Sequence, residues 1–403
     1  MDGARAAASV TGACAAMALA TPSPTASTAP AARVMTGPGL DMVGSQGRNA
    51  VRLRASAESR GPSVNYCASD RQNGWMQQNP GHQPSHGYGI QPPVYPYRPP
   101  SWFLPAPRGA RYDHLARTTA AQPWRAIVGT LLIAVGFFLI GWVVIAGGVV
   151  AAMLLGIPTP LNAEGQLFGD PVFSLVVVLL SIAPVLFLVQ GTAALVQRRR
   201  PGTLSSVAGR LRWPWLLSCL GVALVAMVLG QVTQAVALTL SGQSTDMFGW
   251  AGWPVFLPAL VVLVVLVPFQ AAAEEYVFRG WFVQAVGAHV RNPAWSILLG
   301  SALFMSLHGY SWAGLVDVFG FGVVMGFLTV RTGGLEAGIA LHVLNNMVAF
   351  GVSAAAGNLN EALNQGAVTV PWEALSGTVV QLGVYGFGVL YLAKKQSLHT
   401  ISG

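Results

Sequence analysis

Hydrophobic residues occur in long blocks along the last two thirds of the chain, and short polar connectors separate the blocks. Eight blocks cover about 126–155, 171–196, 213–240, 253–287, 295–309, 312–330, 334–354 and 371–393. Most of them approach or exceed the roughly 20 apolar residues that a helix needs to cross a bilayer. Because hydrocarbon offers the backbone no hydrogen-bond partners, such blocks fold as helices. The pattern predicts an all-α, polytopic membrane helix bundle of about eight transmembrane helices.

The connectors alternate in charge along the chain. Every second connector carries arginine or lysine. The connectors between them carry no Lys or Arg, and they hold Glu164, Asp170, Asp246 and Glu361. The basic set, with the residues that flank the first and last blocks, is Arg111, Arg117, Arg125, Arg198, Arg199, Arg200, Arg210, Arg212, Arg279, Arg291, Arg331, Lys394 and Lys395. The positive-inside rule places these connectors in the cytoplasm. We expect an integral, multi-pass membrane protein with both termini cytoplasmic, in the cell membrane if the source is prokaryotic.

The first 124 residues differ in composition from the rest. They hold 15 of the 26 prolines, and their 11 basic and 5 acidic residues account for most of the net charge of +8. No helical or strand period runs through them, which predicts a disordered, Pro-rich tail over 1–124. The weakly apolar stretch 6–20 is a poor signal peptide, so we expect the tail to be cytoplasmic and to lie against anionic lipid. The transmembrane domain then covers 125–395, and residues 396–403 form a short cytoplasmic tail.

Charge is scarce in this chain. Charged residues make up 9% of it, against about 25% in soluble domains. This excludes a soluble globular enzyme and a nucleic-acid binder that relies on basic patches, so we expect the lipid bilayer and no nucleic acid as a partner. The three cysteines are scattered and indicate neither a disulfide framework nor a zinc site. Against so apolar a background, an ionisable residue inside a span is a functional hypothesis by default.

Polar residues inside the spans concentrate between positions 274 and 346. The first cluster contains Glu274, Glu275 and Arg279. On a helix, Glu275 and Arg279 are four residues apart and share a face, so they can form an ion pair. Glu274 is rotated by about 100° from Glu275 and faces another partner. One arginine does not neutralise two carboxylates at low dielectric, which favours Glu274 as a general base over a purely structural pair.

Two further clusters carry histidine. His308 ends the sequence Phe304–His308 on an apolar helix, where a hydrogen-bonded core histidine is the alternative to a functional one. His342 and Asn346 are four residues apart on one face. Two aligned donors in a dry site can stabilise a developing oxyanion, or they can form the interhelical hydrogen bonds that are common in membranes. With Glu274, these residues supply the groups for hydrolysis of a carbonyl compound by an activated water.

The ordered motifs resemble those of a known family. Glu-Glu-x-x-x-Arg lies at 274–279, Phe-x-x-x-His at 304–308 and His-x-x-x-Asn at 342–346. Together they resemble the CPBP family, the CAAX-protease and bacteriocin-processing (Abi) intramembrane proteases, which include the eukaryotic Ras-converting enzyme. The resemblance covers roughly 253–350. It implies an intramembrane endopeptidase that acts on a membrane-proximal protein or peptide substrate.

The resemblance also implies a role for each matched residue. Glu274 would activate a water with help from His308, and His342 and Asn346 would hold the oxyanion. The supporting residues would be Glu275, Arg279 and Phe304, the first two orienting Glu274.

The family is often labelled metalloprotease, which leaves zinc as an alternative cofactor. Its ligands would be Glu274, His308 and His342, with one position open. No His-Glu-x-x-His motif is present. We therefore expect a glutamate-dependent mechanism with no metal and no cofactor.

Two alternatives come from other functional classes. One is a non-proteolytic membrane scaffold or bacteriocin-immunity-type protein on the same fold. The other is a proton-coupled transporter that uses Glu274 and Glu275 as a relay. The sequence leaves two acidic residues unassigned. Asp317 lines a cavity or lies at the membrane interface near the start of its span, and Glu336 is placed to pair with Arg331.

The sequence is compatible with two depths of Glu274 in the membrane. If the fourth span starts at Trp253, Glu274 lies about 31 Å along the helix, near its cytoplasmic end. His308 lies about 20 Å into its own span, so the two would not meet. A span that covers about 262–284 would bring Glu274 close to His308.

Overall fold

A computed structural model describes residues 101–159, 167–243, 249–364 and 370–403 of the chain. Over these residues the secondary structure is helical, with isolated β-bridges and no β-strand. This confirms the predicted all-α class. The tail predicted over 1–124 lies outside the described residues as far as position 100.

Eleven α-helices follow one another over the described residues. They are α1 Pro123–Leu155, α2 Pro171–Ile182, α3 Val185–Leu195, α4 Trp213–Leu240, α5 Trp253–Glu275, α6 Val283–Gly287, α7 Pro293–Ser306, α8 Trp312–Thr332, α9 Glu336–Ala356, α10 Leu359–Leu363 and α11 Leu375–Lys395. A π-helical segment, Tyr276–Phe282, joins α5 to α6. Five of the helices carry proline in the first turn, where its missing N–H leaves no bond unmade.

Seven helical runs in the described part of the chain are long and apolar enough to cross a membrane. One of them, Pro171–Leu195, combines α2 and α3, which Pro184 separates. Another, Trp253–Gly287, runs from α5 through the π-helical segment to α6. The fifth predicted block forms α7, whose 14 residues span about 21 Å and fall short of the roughly 30 Å hydrocarbon core. The eight hydrophobic blocks therefore form eight helical runs, of which one is short.

The basic connectors meet at one end of the helices. The backbone N–H of Val207 donates to the carbonyl of Gly333 at 2.8 Å, which joins the connector before α4 to the one before α9. Arg117 donates to backbone carbonyls at both ends of the segment 287–290, between α6 and α7. This common end agrees with the alternating charge pattern, and its cytoplasmic orientation stays a prediction.

The folded region begins before the predicted boundary at residue 124. Tyr112 and Leu115 are fully buried, and the Tyr112 hydroxyl donates to the backbone carbonyl of Leu204. Gly109 donates to the carbonyl of Ser402 at 2.8 Å, so the C-terminal residues are held as well. The predicted disorder does not apply to residues 101–122. The few aromatic and aliphatic side chains in this segment pack against the helices. The average composition of residues 1–124 does not show this.

Arg199 fixes the connector before α4 to α6. The guanidinium is buried and donates to the side-chain oxygens of Gln197, Thr203 and Gln284 at 2.8, 3.2 and 2.6 Å. Burial lowers the pKa of Arg199 to about 10, so the group still carries its charge at neutral pH. This contact holds the basic end of the bundle beside the π-helical segment that follows α5.

Glu336 begins α9 and forms an ion pair with Arg212. Arg212 Nε donates to Oε1 at 2.8 Å and Nη2 to Oε2 at 2.7 Å, while the Arg212 backbone N–H adds a third bond at 2.9 Å. The pairing with Arg331 that the sequence suggested is wrong, because Arg331 is exposed and the connector before α4 brings Arg212 to the carboxylate instead. A carboxylate in the first turn also complements the helix dipole.

The Glu336–Arg212 pair predicts a stability effect that is independent of any chemistry. We expect Glu336→Ala to lower the free energy of unfolding by about 3 kcal/mol, because it leaves a largely buried guanidinium without its carboxylate. Arg331→Ala removes an exposed charge near the same helix end and should change stability by no more than about 0.5 kcal/mol. Unfolding of the purified protein in mixed micelles measures both. Equal losses in the two variants would contradict the assignment.

Candidate active site

The polar residues of α5 and α9 face one another across an antiparallel helix pair. Asn346 Nδ2 donates to Gln270 Oε1 at 2.9 Å, and His342 Nε2 lies 3.4 Å from Glu274 Oε2. Residues four apart share one face of a helix, so each helix contributes two successive rungs. We call these four residues the α5–α9 ladder. All four are buried, with Glu274 the most accessible at 5% exposure.

His342 lies between two carboxylates. Its Nδ1 is 2.9 Å from Glu275 Oε1, and its Nε2 faces Glu274. Arg279 Nη1 donates to the same Glu275 oxygen at 2.9 Å, which confirms the ion pair predicted from the i, i+4 spacing. Because the Glu275 carboxylate is already held by Arg279, it accepts from His342, and His342 Nδ1 carries the hydrogen. This fixes the imidazole orientation and directs Nε2 to Glu274.

The charges of this group balance when one proton is added. Glu274 and Glu275 contribute two negative charges, and Arg279 contributes one positive charge. An uncompensated charge in a low-dielectric interior costs several kcal/mol. One proton between Glu274 and His342 would make the group of four neutral.

His308 presents a hydrogen-bond acceptor. It lies just beyond the end of α7, and its Nδ1 is 2.9 Å from the backbone carbonyl of Phe304. A carbonyl oxygen only accepts, so Nδ1 carries the hydrogen and Nε2 of the neutral ring is left with its lone pair. That Nε2 is buried and has no hydrogen-bond partner among the described residues. The ring is therefore prepared to accept a hydrogen bond from a water.

Phe304 connects His308 to the α5–α9 ladder. Its ring centroid lies 4.7 Å from that of His308 and 6.0 Å from that of His342. The Arg279 guanidinium lies 4.3 Å from the same ring centroid. Phe304 thus holds the two histidines at a fixed spacing and helps to cover the arginine. The direct contact of Glu274 in the ladder is His342, whereas the sequence suggested His308 as its partner.

The depth of the cluster follows from the length of the fourth helical run. Glu274 lies 13 residues before Gly287, where the run ends, and His308 lies 15 residues after Pro293. At 1.5 Å per residue, both are about 20 Å from the basic end of the bundle. Counting the span from Trp253 placed Glu274 and His308 at different depths. The two depths agree once they are counted from the basic end, because the helical run continues beyond Glu275 through the π-helical segment.

Sequence reasoning missed two residues of this site. Gln270 is fully buried beside Asn346. The sequence signal that could have identified it is a polar amide side chain one helical turn before Glu274. Gly338 lies one turn before His342, and a Cβ there would lie 2.5 Å from Glu275 Oε2. A glycine therefore lets α9 approach the Glu275 carboxylate. The π-helical turn begins immediately after Glu275, and such turns are frequent at functional sites.

The zinc alternative, with Glu274, His308 and His342 as ligands, stays a prediction. Within residues 101–159, 167–243, 249–364 and 370–403, no group of three or more His, Cys, Asp or Glu side chains is arranged to hold a metal ion. Both ring nitrogens of His342 lie against carboxylate oxygens. A metal-free mechanism remains a proposal.

Helices of this length with a carboxylate, histidine and amide cluster buried among them define a polytopic membrane protein with an intramembrane polar site. Residues 254–348 match the family model of the Rce1-like type II CAAX prenyl endopeptidases. This confirms the resemblance to the CAAX-protease family over the segment that contains the α5–α9 ladder and His308. The match supports a CAAX-type intramembrane protease family, and therefore a hydrolase in general.

A curated relative matches in the same manner over part of its length. The chain is 37% identical over 100 residues to "Uncharacterized protein YyaK" of Bacillus subtilis (strain 168). The aligned region is 23% of this chain and 33% of that protein, so the chain spans about a third of the length of the curated relative it matches. No solved structure matches the chain.

Proposed function

We propose that this protein is an intramembrane endopeptidase that hydrolyses a peptide bond in a membrane-proximal protein or peptide. The observation that carries the proposal is the arrangement around His342, where Glu274 and the Glu275–Arg279 pair meet on the two sides of one imidazole. The buried acceptor of His308 and the match to the CAAX-protease family support the same function. Both termini would be cytoplasmic, and the bilayer would be the protein's permanent partner.

Water activation is the first step of the proposed reaction. With the shared proton on His342, Glu274 is a carboxylate and can act as the general base. A water between Glu274 and His308 would donate one hydrogen to each of them. As the water oxygen attacks the carbonyl carbon of the scissile bond, Glu274 takes the proton. His308 orients the water through Nε2, and Phe304 holds His308 in place.

Oxyanion stabilisation falls to His342 and Asn346. Once Glu274 has taken the proton, it is neutral and binds the His342 Nε2–H less strongly. Without turning the ring, which Glu275 holds through Nδ1, His342 can then donate this N–H to the carbonyl oxygen, where negative charge has developed. Asn346 supplies a second donor while Gln270 holds its amide. Donors of this kind each contribute about 10²–10³-fold to the rate.

Collapse of the tetrahedral intermediate completes the reaction. The carbon–nitrogen bond breaks, and Glu274 returns its proton to the leaving amine. The products are a carboxylic acid and an amine, and Glu274 is again a carboxylate. No group other than water is consumed.

Glu274→Gln should abolish proteolysis, because the amide cannot accept the proton of the attacking water. His308→Ala should lower kcat by about 10²–10⁴-fold, the usual contribution of a positioned acid–base group. The measurement compares the membrane peptidomes of cells that express the parent chain and each variant, followed by kcat of the purified proteins on a peptide that accumulates differently. Glu361→Gln, which changes a carboxylate in an acidic connector, is the matched control.

The same experiment separates the proteolytic proposal from the scaffold alternative. Cleavage that survives in purified Glu274→Gln would refute the assignment of the base. A cellular phenotype that tolerates Glu274→Gln but is lost on changing the connectors would support a scaffold or immunity-type protein instead.

Gln270 should act through Asn346. We expect Gln270→Met to lower kcat, because the Asn346 amide loses the acceptor that fixes its orientation, while KM changes little. Asn346→Ala should lower kcat by about 10²–10³-fold. Since the two residues form one unit, the double variant should be no slower than Asn346→Ala alone. Multiplicative losses in the double variant would show that Gln270 acts independently.

A chelator distinguishes the two mechanisms that the sequence left open. We expect the purified protein to keep full activity after dialysis against 1,10-phenanthroline, because Glu274 and His308 activate the water directly. Glu274→Gln, carried through the same dialysis, sets the background rate. Activity that falls on dialysis and returns on addition of Zn²⁺ would overturn the metal-free mechanism.

A further inference from the structure

A second polar cluster lies between α8, α9 and α11, apart from the α5–α9 ladder. It comprises Asp317 of α8, Asn345 of α9, and Thr378 and Gln381 of α11. Asn345, Thr378 and Gln381 are buried, and Gln381 Nε2 donates to Asn345 Oδ1 at 2.8 Å. All four lie inside helical runs of membrane-spanning length. An ionisable residue inside a membrane span is a functional hypothesis by default, and here polar side chains from three helices surround one. The proposed reaction does not use this cluster.

Asp317 has no positively charged neighbour in the part of the chain that the structure describes. The ion pairs over these residues involve other carboxylates, and Asp317 interacts with Thr378 instead. Glu275 and Glu336, by contrast, each pair with an arginine. A carboxylate inside a membrane without a counterion takes up a proton or holds a cation.

The four side chains line one small cavity. Val318, Phe321 and Leu382 complete its walls. The cavity has room for a single particle the size of a water molecule. The cluster offers a carboxylate, two amide carbonyls and a hydroxyl, and oxygen ligands are those that hard cations prefer. One carboxylate balances one positive charge, so a small monovalent cation would leave the cavity neutral.

The cavity lies towards the end of the bundle opposite the basic connectors. Asp317 is five residues after Trp312, the first residue of α8, and that tryptophan is exposed. Five residues correspond to about 8 Å along the helix. Thr378 lies three residues after Leu375, the first residue of α11, which is about 5 Å along that helix. A cation would therefore have a short path from the aqueous phase on that side.

We propose that Asp317, Asn345, Thr378 and Gln381 form a sodium site that ties α8, α9 and α11 together. The charged carboxylate is a ligand of high field strength, which favours the smaller sodium ion over potassium. The Phe321 ring separates this cavity from the α5–α9 ladder, and its centroid lies 5.3 Å from that of His342. Sodium at the site would thus stabilise the helices that position His342. The site does not depend on the proposed peptidase activity.

Thermal unfolding of the full-length protein in detergent tests the site without an activity assay. We expect a higher unfolding midpoint in NaCl than in choline chloride at the same ionic strength, with a smaller shift in KCl. At a sodium concentration ten times Kd, binding to the folded state alone lowers the unfolding equilibrium constant about 11-fold. Asp317→Asn should abolish the sodium-dependent shift, and Thr378→Val should weaken sodium binding.

Two matched variants control for charge and for hydroxyl removal. Glu373→Gln removes an exposed carboxylate just before α11, and Thr233→Val removes a hydroxyl on the exposed face of α4 that bonds the Leu229 carbonyl. Both should keep the full sodium shift. Equal midpoints of the parent chain in NaCl and choline chloride would overturn the proposal. A sodium-dependent rise of the midpoint that persists in Asp317→Asn would also overturn it. The same holds if lowering the pH in choline chloride, which protonates Asp317, raises the midpoint as much as sodium does.

Direct binding decides the matter if Asp317→Asn does not fold. Radioactive sodium retained by the purified parent chain and displaced by unlabelled NaCl supports the site, provided that Thr378→Val retains less. Equal retention by the parent chain and Thr378→Val would overturn it.

Discussion

Charge balance inside the bilayer is the constraint on which the rest of this structure depends. Hydrocarbon does not screen charge, so each carboxylate within the helices needs a compensating partner. Glu275 has Arg279 and His342, and Glu274 has His342. In the proposed mechanism, the one proton that neutralises this group lies between Glu274, the base, and His342, the oxyanion donor. Neutrality of the resting site and readiness for acid–base chemistry thus have one physical origin.

The surrounding elements serve this balance through close approach. Gly338 lets α9 come within contact of the Glu275 carboxylate, which a Cβ at that position would obstruct. The π-helical segment begins at Tyr276, immediately after Glu274 and Glu275, and it contains Arg279. Phe304 covers the guanidinium and spaces the two histidines. The packing of these helices is therefore determined by contacts to a few charged groups as well as by the burial of apolar side chains.

Local sequence patterns predicted what depends on one helix, and they failed where two elements meet. Spacing along one helix gave the Glu275–Arg279 pair, because both residues belong to the same turn. It assigned Glu336 to the nearby Arg331, whereas the fold supplies Arg212 from a connector 124 positions earlier. Gln270 was visible as an amide, but its partner Asn346 emerges only from the antiparallel register of α5 and α9. Composition averaged over 124 residues hid the few buried side chains around Tyr112.

The two neighbouring glutamates differ in what a proton would cost them. Protonation of Glu275 would weaken an ion pair with a buried arginine and leave that guanidinium uncompensated in a low-dielectric interior. Protonation of Glu274 leaves the Glu275–Arg279 pair intact, and the His342 Nε2–H can then donate to a new negative charge. The adjacent carboxylates are thus suited to opposite tasks, since one holds a fixed charge and the other exchanges a proton. On this ground Glu274, and not Glu275, is the residue to which we assign the base.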